Sequence, residues 1–221
     1  MDRFSFLSDQ IHQDFSARNA ARDKALAQTR QLIRLSANSI RAIHRLEQDN
    51  AREQLGEARK LVQSLKNDLT DYPDLFYAGY TQDALKEYAE ASVTFALVLN
   101  QELPLPDELG LEITPYLNGL AESVGELRRR CLDILRLGYS EDAERLLNLM
   151  DDIYSILVTI DYPDAITNGL RRQTDLARGI VERTRGDLTL SIREQRLTNA
   201  MARLSKQLQA EQENNAHDSG V

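Results

Sequence analysis

The five prolines of this 221-residue chain stand between stretches of helically spaced apolar residues, never deep inside one. That placement constrains the fold more than any other feature. Proline locks φ and lacks a backbone donor, so it opens or closes helices instead of continuing them. Asp71-Tyr72-Pro73-Asp74 breaks the chain and starts a new stretch, Leu103-Pro104-Leu105-Pro106-Asp107 holds a loop, Pro115 sits in the first turn of a helix, and Asp161-Tyr162-Pro163-Asp164 opens the last stretch. Between these points apolar residues recur every three or four positions, and no sustained two-residue alternation bounded by turns is present. The spacing predicts helices over roughly 15–47, 51–67, 74–102, 114–137, 140–160 and 164–209, with Gly138 as a stop and Ser140 as an N-cap.

Six or seven helices with short connections make an all-α, single-domain helical bundle over 1–210, followed by a polar disordered tail over 211–221. No repeat of 34 or 40 residues is visible, which argues against a solenoid. The last helix carries Leu170, Ile180, Leu188, Ile192 and Leu197 and is too long for one core, which points to a partner subunit.

Hydrophobic residues make up 42% of the chain, enough for a packed core. The longest apolar run, 91–99, still contains Ser92 and Thr94 and is half of a membrane span. The opening Met1-Asp2-Arg3-Phe4-Ser5-Phe6-Leu7 is too short and polar for an export signal, and the single Cys131 forms no internal disulfide. A soluble cytoplasmic protein without a membrane partner is expected.

Carboxylates stand where an apolar helix should exclude them. From Tyr88 to Leu99 only Glu90 is charged, so this helix is buried on nearly all sides. A buried carboxylate must be protonated, paired or metal-bound. Glu87 lies three residues before Glu90 on the same face, and the two repel unless a cation lies between them. A second segment, 116–130, places Glu122 and Glu126 four apart, beside Gly119 and Gly125. A mid-helix glycine costs about 1 kcal/mol against alanine, so these two suggest close approach by another helix or a ligand. Two helices can thus bring three or four carboxylates together in an all-oxygen site suited to Mg²⁺ or Mn²⁺. The bland alternative is ordinary ion pairing, and for Glu126 an i,i+4 pair with Arg130 is the favoured reading. His12, His44 and His217 are too scattered to contribute ligands.

The net charge of −8 argues against nucleic acid unless the positive charge is concentrated. Arg30, Arg34, Arg41 and Arg45 fall within a wedge of about 60° on the first helix, with Arg18 and Arg22 two turns earlier. Such a stripe can follow a phosphate backbone; a solvated charged face is the competing reading.

These segments resemble the translin superfamily, and most closely its translin-associated factor X branch in a prokaryotic-type form. Residues 21–45 resemble the first-helix pattern of factor X. Glu87-Tyr88-Ala89-Glu90-Ala91 resembles its E-Y-x-E-A segment, and residues 116–127 resemble its Y-L-x-G-x-A-D-x-x-G-E-L segment. The agreement runs from about 17 to 197. The resemblance implies a translin-like fold of seven helices assembling into a hollow octamer, and binding of single-stranded or short duplex RNA, and of single-stranded DNA, on the inner surface. It implies metal-dependent endoribonuclease activity, with the catalytic and metal-binding acids at Glu87, Glu90 and Glu122. Glu122 replaces an aspartate of the eukaryotic pattern, and Glu126, matched in translin proper, looks structural. The expected function is therefore a Mg²⁺- or Mn²⁺-dependent endoribonuclease that holds RNA through Arg18, Arg22, Arg30, Arg34, Arg41 and Arg45. Its rivals are a non-catalytic nucleic-acid-binding shell, an all-α nucleoside triphosphate pyrophosphatase built on E-x-x-E carboxylates, and a purely structural bundle.

Overall fold

A computed structural model describes the backbone of residues 2–218 and the side chains of residues 2–209. Helix α1 spans Arg3–His44, with the Asp2 carboxylate accepting from the Phe4 N–H at its start. Its apolar and small residues Ala25, Thr29, Leu32, Ser36, Ser39, Ile40 and Ile43 face the core. The helix begins twelve residues before the expected 15, because Phe4, Leu7, Ile11 and Phe15 keep helical spacing; among the described residues they remain exposed. Leu46, at φ 64°, turns the chain into α2 (Gln48–Asp68). This helix runs antiparallel to α1, tied by Lys24 to Asp68 at 2.7 Å, by Gln28 to Ser64 at 2.8 Å, and by the Ser39 hydroxyl donating to the Ala51 carbonyl at 3.2 Å.

The stretch expected as one helix over 74–102 is two. A single turn, α3 (Pro73–Phe76), precedes α4 (Gly79–Val98). The Thr81 hydroxyl reaches back to the Leu75 carbonyl at 2.8 Å and the Gln82 amide to the Phe76 carbonyl at 3.0 Å, which satisfies the backbone at the break. As expected, the second half of α4 is buried, with every residue from Ala91 to Val98 in the core. The two prolines of the following loop leave one turn, α5 (Pro106–Leu109). Then come α6 (Ile113–Leu135) and α7 (Glu141–Leu157), the latter capped by Ser140 as expected. The last stretch is divided too: one turn, α8 (Asp164–Thr167), ends at Asn168 and Gly169, both at positive φ, before α9 (Leu170–Asp218). Asparagine and glycine are the residues that tolerate this left-handed backbone.

Among the described residues there are thus six long helices and three single turns, and no strand. The expected tail over 211–221 falls where side chains are outside the described residues; the backbone is helical to Asp218, and 219–221 are not described. The long helices form paired layers. Helix α4 packs on α1 and α2 on one side and on α6 on the other, and α6 in turn packs on α7 and α9. Leu32, Ile43, Leu65, Leu85, Leu120, Leu127 and Met150 are fully enclosed between the layers. Truncating any one of them to alanine is of the kind that costs about 2–5 kcal/mol. No described helix is long and apolar enough to cross a membrane.

Candidate metal centre and nucleic-acid interface

The site exists because α4 and α6 touch backbone to backbone. A methyl group on Gly119 would lie 2.6 Å from the Ala89 Cβ, 2.6 Å from the Lys86 carbonyl oxygen and 2.8 Å from the Glu90 nitrogen. Only glycine permits that approach. One turn beyond Gly119 comes Glu122, and around the crossing on α4 stand Lys86, Glu87 and Glu90. A carboxylate oxygen from each of Glu87, Glu90 and Glu122 lies within 4.8 Å of the other two. The three expected acids therefore converge. Gly125 plays no comparable part: a side chain there would meet nothing within 4 Å, so its expected close approach is absent.

Two further side chains complete the cluster. The Lys86 ammonium lies 3.0 Å from both oxygens of Glu122 and 3.5 Å from Glu87. The Gln173 amide, from α9, donates to Glu122 Oε1 at 2.7 Å. Glu90 has no hydrogen bond or ion pair among the described residues. Burial pushes its carboxyl up to about 8, assisted by the negative charges of Glu87, Glu122 and Glu126 and opposed by Lys86. Lys86 loses basicity to burial, but its hydrogen bond and charge contact with Glu122, and the charges of Glu87 and Asp83, raise it overall. Three carboxyl groups face one ammonium, and the donors open to a metal are all hard oxygens. That set fits a divalent ion such as Mg²⁺ or Mn²⁺, with Glu87, Glu90 and Glu122 as its protein ligands.

Glu126 is occupied elsewhere. The expected pair with Arg130 is not formed; the carboxylate meets the Nε2 of His44 at 2.5 Å, across from α1, and Arg129 at 3.8 Å. His44, whose side chain is only 4% exposed, offers Glu126 a donor inside the protein, while the buried Nε of Arg130 finds no hydrogen-bond partner among the described residues. The hydrogen bond from His44 holds the Glu126 carboxyl below the ordinary carboxylate range against the opposing effect of burial.

Arg30, Arg34 and Arg41 lie on the exposed side of α1, away from its buried stripe, and Arg45, also exposed, stands just past the helix end at His44. Arg30 donates to its own helix's Leu26 carbonyl at 3.0 Å and Arg41 to Asn38. Arg34 and Arg45 carry no ion pair among the described residues. Arg41 and Arg45 line a small polar cleft of about 130 Å³ with Asn38, Glu47 and Asn50. The two preceding arginines are engaged with acids: Arg18 pairs with Asp74, and Arg22 lies 3.4 Å from Asp23.

No family model matches the chain. A protein of Methanocaldococcus jannaschii is 29% identical over 206 residues, which span 92% of this chain and 89% of that one. The solved structure of AfC3PO in complex with duplex RNA is 32% identical, with a TM-score of 0.77 over 83% of this chain and 95% of that chain. The chain belongs to the translin superfamily, in its C3PO type. A second C3PO, apo-NeC3PO, has the same fold at 20% identity and a TM-score of 0.77, covering 86% of this chain and 98% of that one.

In this C3PO-type chain the sequence pointed to the acids but not to their neighbours. Lys86 carried a signal, since it lies four residues before Glu90 and therefore on its face. Gln173 carried none: it is one polar residue of a long helix, and only the packing of α9 on α6 brings it to Glu122. His44 likewise meets Glu126 across 82 residues of sequence.

Proposed function

We propose that this protein is a metal-dependent endoribonuclease that binds single-stranded or short duplex RNA within an oligomeric shell of its own copies. The observation that carries the reading is the convergence of one oxygen from each of Glu87, Glu90 and Glu122 within 4.8 Å at a crossing of two helices. It is supported by 32% identity, over nearly the full length, to AfC3PO, which has been solved with duplex RNA.

In this reading Glu87, Glu90 and Glu122 hold Mg²⁺ or Mn²⁺. When bound, the ion lowers the pKa of water and offsets negative charge building on a phosphodiester. The protein supplies the rest. Gln173 keeps the Glu122 carboxylate oriented through its amide. Burial of Glu90 keeps bulk water from screening the cluster. Arg30, Arg34, Arg41 and Arg45, with Arg18 and Arg22 at the end of the stripe, contact RNA phosphates. The exposed apolar residues at the start of α1 and along the far half of α9, among them Phe4, Phe15, Leu197 and Leu204, provide contact area for other copies.

The test is incubation of the purified chain with labelled single-stranded and duplex RNA, in Mn²⁺ and in chelator. Cleavage should require the metal. Glu90→Gln and Glu122→Ala should each reduce it by at least about a hundredfold, while RNA retention in filter binding and the elution volume in size-exclusion chromatography stay near wild type. Equal cleavage by these variants would remove the site; RNA retention with no cleavage under any metal would leave only a binding shell.

A further inference from the structure

Lys86 is the one cation inside the acidic cluster among the described residues, and its position is determined by the helix crossing itself. Its carbonyl oxygen is one of the atoms that touch Gly119, so its backbone sits at the point where α4 and α6 are nearest. From there the side chain runs one turn along α6 to place its ammonium 3.0 Å from both oxygens of Glu122 and 3.5 Å from Glu87. These are two of the three carboxylates that a divalent ion would share. The ammonium and the ion would therefore bind the same oxygens, in a setting where Lys86 and Glu122 are each little more than one-fifth exposed. Water screens such a pair poorly, so the two cations compete.

We propose that Lys86 is the built-in counter-cation of the cluster: its ammonium ties Glu122 to Glu87 while no divalent ion is bound, and withdraws from them when one binds. The inference rests on the metal-site reading of the same three acids. It assigns Lys86 and Gln173 opposite roles toward the same carboxylate. The Gln173 amide is neutral and donates to Glu122 Oε1 at 2.7 Å, so it stays in place as the outer partner of a metal-bound carboxylate. The Lys86 ammonium carries a charge that must leave. Its function is that of a positioning residue: it holds Glu122 to Glu87 in the metal-free protein, where these two acids would otherwise repel each other and loosen the crossing. The cost of displacing it weakens metal binding, so the site releases its ion more readily than three free carboxylates would.

The experiment is Mn²⁺ titration by isothermal calorimetry of the full chain in wild-type, Lys86→Gln, Lys86→Arg and Gln173→Leu forms, with thermal unfolding of each in chelator and in saturating Mn²⁺. Lys86→Gln removes the charge but keeps a donor for Glu122. It should bind Mn²⁺ about tenfold tighter, and Gln173→Leu about tenfold weaker, the scale of effect of outer partners on a metal site. Lys86→Arg, which keeps the charge, should bind as wild type does. In chelator Lys86→Gln should melt below wild type, and in saturating Mn²⁺ the difference should vanish. A Lys86→Gln variant that folds only with Mn²⁺ supports the proposal equally. Binding in Lys86→Gln that is unchanged or weaker, while wild type binds normally, overturns the counter-cation role and leaves the metal site standing. Failure of Lys86→Gln to fold even with Mn²⁺ overturns it as well, since Lys86 is then only structural. Absence of Mn²⁺ binding in every form overturns the metal reading together with the proposal.

Discussion

Glu90 has the carboxyl group displaced furthest from its ordinary titration among the described residues. Its carboxyl is pushed from an ordinary 4.5 to about 8, first by burial and then by Glu87 on its own helix and Glu122 and Glu126 on α6, with Lys86 opposing. In the metal-free protein the folded chain therefore keeps this proton between those two values while the unfolded chain releases it. The folded state binds more protons over that window, so stability from this group falls as pH rises from about 4.5 to about 8. Glu126 acts in the opposite sense: its carboxyl is depressed by the His44 hydrogen bond, so its contribution is present at neutral pH and is lost as pH falls through the depressed value. In chelator, Glu90→Gln should thus melt well above wild type at pH 8 and match it near pH 4. Parallel melting curves for the two proteins across that range would show that Glu90 is solvated and that the three acids are less tightly enclosed.

At the scale of elements, one glycine determines whether the site forms. Gly119 lets α4 and α6 meet at distances that a methyl group would forbid, and the obstructing atoms are the backbone of Lys86 and Glu90 and the Cβ of Ala89, none of which can rotate away. Gly119→Ala should destabilise the chain by about 1–3 kcal/mol through overpacking, read by denaturant unfolding. Because the same shift separates Glu122 from Glu87 and Glu90, it should also weaken Mn²⁺ binding. Gly125→Ala, where a side chain meets open space, serves as the control and should bind Mn²⁺ as wild type does, with stability unchanged or slightly higher for the gain in helix propensity. Similar behaviour of the two variants would mean that the helices are not held in contact at Gly119. The residues of both helices that face this crossing were legible in the sequence as an apolar helix with one misplaced carboxylate and a glycine-bearing partner. The absence of a role for Gly125 was not, because glycine in a helix looks the same whether it faces a neighbour or solvent.

For the whole molecule the question is how a chain of net charge −8 could hold a polyanion. In the proposed reading, arginines on and just past α1 answer it by placement. Arg34 and Arg45 carry no ion pair among the described residues, whereas Arg18 and Arg22 each lie beside an aspartate. RNA affinity should fall steeply with salt, and Arg34→Ala and Arg45→Ala should each reduce the slope of log K against log salt by about 0.7–0.9. Arg18→Ala, whose guanidinium is already paired with Asp74, should reduce it by less. Filter binding across a salt series measures all three, and equal slopes throughout would move the RNA surface off α1.

The repeat of apolar residues at helical spacing and the confinement of proline to boundaries decided the fold class, because hydrogen bonding within a helix is local and needs no distant partner. The anomaly of Glu90 inside an apolar stretch marked the helix that carries the acidic cluster, because the cost of a buried charge is visible from its neighbours on the same helix. Divisions of the predicted helices at 77–78 and 168–169 depended on tertiary support for irregular backbone, such as the reach of Thr81 back to Leu75. Lys86 beside Glu122, Gln173 on the same carboxylate and His44 on Glu126 belong to the tertiary structure alone. They join residues 36, 51 and 82 positions apart, and only the packing of α1 and α6 on α4 and of α9 on α6 brings their atoms within hydrogen-bond reach.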